Sequence, residues 1–289
     1  MSAYLKTIDL YKQEGYKIKT SLNPMHFSAS REFIEAYSAY TPFSYVISSI
    51  NNDMELRGGG GVNNTELFFF ETLKDVKPDV KSIFIIGNAF GYSTIFLSLL
   101  FPEAKVVAMD AGIEGEDNML GISLTQSIIK KHRLNAAVEF AFSPKDNHSV
   151  VSKHFSTPID LVFIDGLHTN EQLLLDFQGM QNYCDENTIW VMHDVINWHM
   201  QNAFAWIANC LSSTHISRIL YRTQSGMGLA VPQHDQNAIE LLEAFSEDDK
   251  IITDLIKTGR YYDRKYLRMI KRYTPNFIKK GIKKCLKKP

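Results

Sequence analysis

The stretch Ser82–Gly112, SIFIIGNAFGYSTIFLSLLFPEAKVVAMDAG, leaves few folds open to this chain. Its first apolar run, Ile83–Ile86, shows no polar alternation and stops at Gly87, which is how a parallel strand covered on both faces reads. The spacing then predicts a turn at Gly87-Asn88-Ala89-Phe90-Gly91, a helix over Tyr92–Leu100, and a strand over Val106–Met109 ending in Asp110. Small residues let the turn backbone approach a ligand closely, and the helix N-terminus behind it offers N–H groups without intrahelical partners. A carboxylate at the end of the second strand, about 20 residues beyond the turn, suits the hydroxyls of a ribose. The segment reads as half of a nucleoside-cofactor site.

The alternation continues downstream. Strands are expected at Ala137–Phe142, Ile159–Ile164 and Thr188–Met192, with helices at about 117–132, 150–154, 171–183 and 198–211. Two last strands, His215–Tyr221 and Met227–Val231, are joined through Thr223-Gln224-Ser225-Gly226, short enough for an antiparallel hairpin. The fold class is therefore α/β, a Rossmann-like seven-stranded, mostly parallel sheet with a terminal antiparallel hairpin. In such sheets ligands bind beyond the carboxyl ends of the strands. Gly87, Asp110, Ser143, Asp165 and the pair His193-Asp194 all occupy those ends, so all should face one crevice.

The turn, which lacks the G-x-G-x-x-G of dinucleotide sites and continues into Tyr92-Ser93-Thr94, resembles the first motif of class I S-adenosylmethionine (SAM) methyltransferases. The likeness is greatest to the catechol and caffeoyl-CoA O-methyltransferase-like group, although Ile85 stands where that group carries an acidic residue. Asp165 in IDLVFIDGLHTNE and His193-Asp194 in IWVMHDVIN resemble that group's metal site. There an Asp ends the fourth strand and an Asp-Asn pair ends the fifth. Closer in wording are bacterial "DGxH…HD" methyltransferases of sugar and natural-product pathways. The resemblance spans Thr65–Pro232. It implies a SAM-dependent enzyme that methylates a hydroxyl of a small molecule or sugar. Asp165, His193 and Asp194 would hold a divalent ion such as Mg or Mn. His168 would act as general base where the catechol-type enzymes use Lys, and Asp165 and His193 would share in catalysis. Gly87, Asn88, Gly91, Ser93, Asp110 and Ser143 would bind the cofactor.

Three segments follow, 1–64, 65–234 and 235–289. Aromatics at mixed helical spacing (Phe33, Tyr37, Tyr40, Phe43, Tyr45) predict an N-terminal extension of two or three helices capping the domain as a lid. Gly58–Gly61 reads as a linker, with a loop near the cofactor as the alternative, and Asn64 or Thr65 as the N-cap of the helix after it. The tail is basic. Of 31 Lys and Arg and 32 Asp and Glu, 13 basic residues but one acid, Asp263, lie from Lys257 on. Residues 277–288 place Ile278, Ile282 and Leu286 on one helical stripe amid lysines. This is read first as a solvated end and second as a helix docked on an anionic membrane surface or a second copy of the chain. No base-stacking aromatics accompany those lysines, which argues against nucleic acid.

Apolar content is 45% and no apolar run spans a bilayer. The N-terminus lacks a signal-peptide core, and three separated cysteines form no disulfide framework, so a cytoplasmic enzyme, or one peripheral to the inner membrane face, is expected. An NAD-type oxidoreductase would need a nicotinamide half, for which the terminal hairpin leaves little room, and two further alternatives stand beside the metal-assisted enzyme. One is a methyltransferase that needs no metal; the other is a non-catalytic module of this fold docked through its basic tail.

Overall fold

Strand β4 (Ser82–Ile86) is buried along its whole length, because its two faces meet two different layers of helix. Ile83 and Ile85 point into one core, Phe84 and Ile86 into the other, as the period-2 geometry of a strand requires. A computed structural model describes this arrangement for residues 2–20, 45–49, 58–59, 62, 64–113, 116–145, 148–223 and 225–246.

Around β4 stand β5 (Lys105–Asp110), β6 (Ala136–Phe140), β7 (Leu161–Ile164) and β8 (Ile189–Met192), all parallel. Strand β10 (Met227–Pro232) runs antiparallel between β8 and the edge strand β9 (His215–Leu220). The order is β6-β5-β4-β7-β8-β10-β9, and it bears out the seven-stranded sheet with its terminal hairpin. One face is covered by α1 (Ala3–Gln13), α2 (Asn64–Val76), α3 (Tyr92–Leu100), α4 (Glu116–His132) and α8 (Gln236–Phe245). The other is covered by α5 (His148–His154), α6 (Asn170–Met180) and α7 (Gln201–Leu211).

The sequence-based limits of the sheet strands and their helices hold to within three residues at each end, apart from a final 3-10 turn in α6. Three features differ from the expectation. The N-terminal region holds one described helix, α1, followed by antiparallel strands β1 (Tyr16–Thr20), β2 (Tyr45–Ser49) and β3 (Gly58–Gly59). Helix α8, inside the stretch read as tail, buries Ala238, Leu241, Leu242 and Phe245 and carries the compact unit on to Ser246. Residues 193–199 are consecutive turns, with positive φ at Asp194 (56°) and His199 (58°), so α7 starts at Gln201 rather than 198. Phe33, Tyr37, Tyr40, Phe43 and the stripe in 277–288 lie outside the described residues. Among the described residues no helix is long and apolar enough to cross a membrane.

Helix α4 is seated directly on the glycine turn. A Cβ on Gly121 would collide with the Ala89 carbonyl and lie 3.1 Å from the Phe90 Cα. In an exposed helix interior, Gly→Ala stabilises by about 1 kcal/mol. Here the obstacle is backbone, which cannot step aside, so Gly121→Ala should destabilise by ~1–3 kcal/mol. The denaturant midpoint would register this as a fall, and an equal or higher midpoint would contradict the seating.

Candidate active site at the strand ends

Hydrogen bonds of the parallel ladder run one step past the strands. Gly87 N donates to Met109 O at 2.8 Å, Asp165 N to Ile86 O at 2.8 Å, and His193 N to Ile164 O at 2.9 Å. These bonds bring the glycine turn, Asp165 and His193 to one edge of the sheet. Gly87 is required there, because its φ is 97° and a Cβ would strike the Asp165 carbonyl.

Asp110 fastens the turn. Its Oδ2 accepts from Asn88 N (2.8 Å) and Ala89 N (2.9 Å), and its Oδ1 from Gly112 N (2.8 Å). The Asn88 side chain is also engaged within the protein, donating to Thr125 Oγ1 (3.1 Å) and accepting from Thr94 Oγ1 (2.9 Å). It holds the turn onto α3 and α4. Gly91, at φ 79°, opens α3 tight against Thr125, and Ser93 is buried in the first turn of that helix. Ser143 is buried and hydrogen-bonded to Asp176. From the other side α1 reaches in, where the buried Tyr11 hydroxyl donates to Phe90 O at 2.6 Å. Beside the turn, Ile113, Phe140 and Phe142 form an exposed apolar ledge.

The second part of the site is a cluster. One ligand-type atom from each of Asp165, His168, His193 and Asp194 lies within 4.8 Å of the others. His193 Nδ1 is 3.0 Å from Asp165 Oδ1 and 3.5 Å from Asp194 Oδ2. His168 Nε2 is 3.3 Å from Asp165 Oδ1 and 3.5 Å from Asp194 Oδ2. Asp194 reaches the cluster from a left-handed backbone conformation, held by Asn197 Nδ2 donating to its Oδ1 at 2.9 Å. The His168 ring stacks on Trp198, centroids 5.5 Å apart, and Trp198 is exposed.

Charge decides the ionisation here. Burial is the largest single influence on His193 and opposes its cation, but the carboxylates of Asp165 and Glu66 outweigh it and raise the pKa well above the ordinary imidazole value. Burial likewise pushes Asp165 upward, and the two imidazoles overcome it, leaving the carboxyl at about 2. Asp194 is lowered against the same opposition by His193.

His193 Nδ1 is buried and lies between the two carboxylates, yet completes a regular hydrogen bond with neither. A buried nitrogen left over between two carboxylates fits a cation better than it fits a closed hydrogen-bond network. The donor set Asp165, His193 and Asp194 therefore fits a divalent ion.

Residues 84–195 match the family model described as a methyltransferase domain. The strand order and the glycine turn agree with it. Over these residues the chain is similar to methyltransferase domains. The match covers less than half of the chain, and the sheet around it completes a Rossmann-like, seven-stranded methyltransferase fold. A search of curated proteins found no significant match. Among solved structures, a protein described as a caffeoyl-CoA O-methyltransferase from Staphylococcus aureus superposes with a TM-score of 0.50 at 13% identity, over 79% of this chain and 98% of that one. An O-methyltransferase from Bacillus cereus gives 0.46 at 18% identity, covering 60% and 83%. The O-methyltransferase of tomaymycin synthesis from Streptomyces achromogenes gives 0.45 at 14%, covering 72% and 92%.

The expected strand-end residues Asp165, His193 and Asp194 are brought together with the expected base His168, and Asn88 and Ser143 are turned inward. Sequence reading overlooked Glu66 and Asp176. Glu66 lies on the same helical stripe as Phe69, Phe70 and Leu73, and a carboxylate on a buried stripe signals a buried partner. Asp176, also fully buried, sits beneath Gly166 and accepts from Gln172 Nε2 at 2.8 Å.

Burial raises Asp176 to about 7, against the smaller downward pull of Gln172 and Ser143. A carboxyl kept neutral by folding contributes its full stability below pH ~4. That contribution is lost as pH rises through about 7, because the unfolded chain ionises first. The thermal midpoint of the wild type should therefore fall relative to Asp176→Asn between pH 5 and pH 8. A pH-independent difference would show that Asp176 is ionised throughout.

Proposed function

We propose that the methyltransferase domain transfers the methyl group of SAM to a hydroxyl of a small-molecule or sugar acceptor, assisted by a divalent ion. The observation that carries this reading is the convergence of Asp165, His168, His193 and Asp194 on one point beside the glycine turn. SAM supplies an electrophilic sulfonium methyl. The Gly87–Gly91 turn, secured by Asp110, and the ledge of Ile113, Phe140 and Phe142 fit a nucleoside with an apolar base face and a polar sugar. Asp165, His193 and Asp194 would hold the ion. When bound, such an ion lowers the pKa of a hydroxyl that reaches it.

His168 takes the acceptor's proton. It has the most exposed side chain of the four, 28% against 9% for His193, and its ring is aimed by the Asp165 carboxylate and steadied by Trp198. Asp165 thus orients the base and stabilises the imidazolium that forms. Exposed Leu167 and Trp198 rim the cluster and give an acceptor ring an apolar face to lie on. The His168–Asp165 pair by itself could also serve a metal-free proton transfer, and chelation separates the two mechanisms.

With a hydroxylated acceptor that is turned over, EDTA should lower the rate at least ~100-fold and Mn²⁺ should restore it. Asp165→Asn and Asp194→Asn should match that loss while calorimetric binding of S-adenosylhomocysteine is retained. His168→Gln should cost ~10²–10⁴-fold. A rate indifferent to EDTA would leave the metal-free mechanism.

A further inference from the structure

Glu66 has no part in the scheme above, yet it is fully buried and touches the cluster from behind. Its Oε2 is 3.0 Å from His193 Nε2, and its Oε1 accepts from Ser225 N at 3.0 Å. The carboxylate is thus anchored on two sides, by its place in the first turn of α2 and by the turn between β9 and β10. An ionised carboxylate only accepts, so the proton of the contact belongs to His193 Nε2. The opposite ring atom, Nδ1, is then the one that faces Asp165 and Asp194, and it is the atom left without a hydrogen-bond partner. The edge of Phe163 against the ring, centroids 5.9 Å apart at 86°, helps to fix its plane.

We propose that Glu66 is a positioning residue that fixes His193 as its Nε2–H tautomer, making Nδ1 the metal-facing atom, and that this imidazole with two carboxylates selects a borderline transition ion over Mg²⁺. The inference rests on the metal-assisted reading of the preceding section. A ligating histidine whose other nitrogen donates to a carboxylate has its tautomer and orientation set and its basicity raised. An imidazole donor suits Zn, Fe or Ni, and Mn accepts it beside carboxylates, whereas Mg favours an all-oxygen shell. The competing arrangement is an imidazolium paired with carboxylates through both nitrogens. There Nδ1, 3.0 Å from Asp165 Oδ1, carries a proton, and a cation held between Asp165 and Asp194 would stand in place of that proton.

The test uses the full chain with ¹⁵N-labelled histidine and Zn²⁺. Long-range ¹H–¹⁵N spectra should show the His193 proton on Nε2 and a zinc-induced shift at Nδ1. A shift at Nε2 with the proton on Nδ1 would overturn the tautomer assignment, and so would zinc binding that leaves His193 unmoved. Calorimetry on Glu66→Gln, which offers one acceptor oxygen to two donors, should give Zn²⁺ and Mn²⁺ affinities ~10–100-fold weaker, with S-adenosylhomocysteine binding unchanged. Equal affinities would overturn the positioning role while leaving the metal-assisted reading intact. In the wild type, Mg²⁺ should fail to displace Mn²⁺ at equal concentration, and displacement would overturn the selectivity. No ion bound by the wild type would sink this inference and the metal-assisted reading together. If Glu66→Gln does not fold, the wild-type spectra still decide.

Discussion

The parallel hydrogen-bond ladder that runs past the ends of β5, β4, β7 and β8 is the constraint on which the rest of this molecule depends. Each of its last bonds joins a candidate site residue to the strand beside it: Gly87 to Met109, Asp165 to Ile86, His193 to Ile164. Backbone bonds of this kind cannot be made by a chain in another register, and register is fixed by two buried faces. The two hydrophobic layers therefore do more than stabilise the sheet. By pinning β4 through alternating Ile83, Phe84, Ile85 and Ile86, they set where the polar strand ends project.

A second level of organisation stands on that frame. The glycine turn contains few side chains of its own, and its shape comes from neighbours: the Asp110 carboxylate on its N–H groups, Asn88 tied to Thr94 and Thr125, Gly121 beneath Ala89, and the Tyr11 hydroxyl on Phe90. Ala89 is held at φ 43°, a conformation that an isolated turn would not keep. The cluster opposite is built on the contrary principle. Two carboxylates and two imidazoles are drawn together in front of the buried Glu66, each charge costly alone and tolerable only through the others. Such a group keeps one nitrogen, His193 Nδ1, unmatched, and an unmatched buried donor site is where function should be sought.

Much of this was legible in the sequence, for physical reasons. The runs SIFII and LVFI could only be buried parallel strands, and Asp110, Asp165 and His193-Asp194 announce themselves as polar residues at the ends of such runs. Asn88 and Ser143 show the limit. Their positions at the strand ends are as expected, but rotamer and partners turn both side chains inward, toward Thr125 and Asp176. Glu66 was hidden by distance. It is 127 residues from His193, and in sequence it looks like an ordinary acidic residue near a helix N-terminus. Strand β1, YKIKT, does alternate, but five residues are too short a pattern to stand out, and in β2 the aromatic Tyr45 reads alike as helix or strand edge.

Crystals grown with Mn²⁺ and S-adenosylhomocysteine, measured for anomalous scattering at the manganese edge, would test the central claim most directly. The account predicts one strong peak bounded by Asp165, His193 Nδ1 and Asp194. No peak there, with His193 Nδ1 paired to a carboxylate instead, would contradict it.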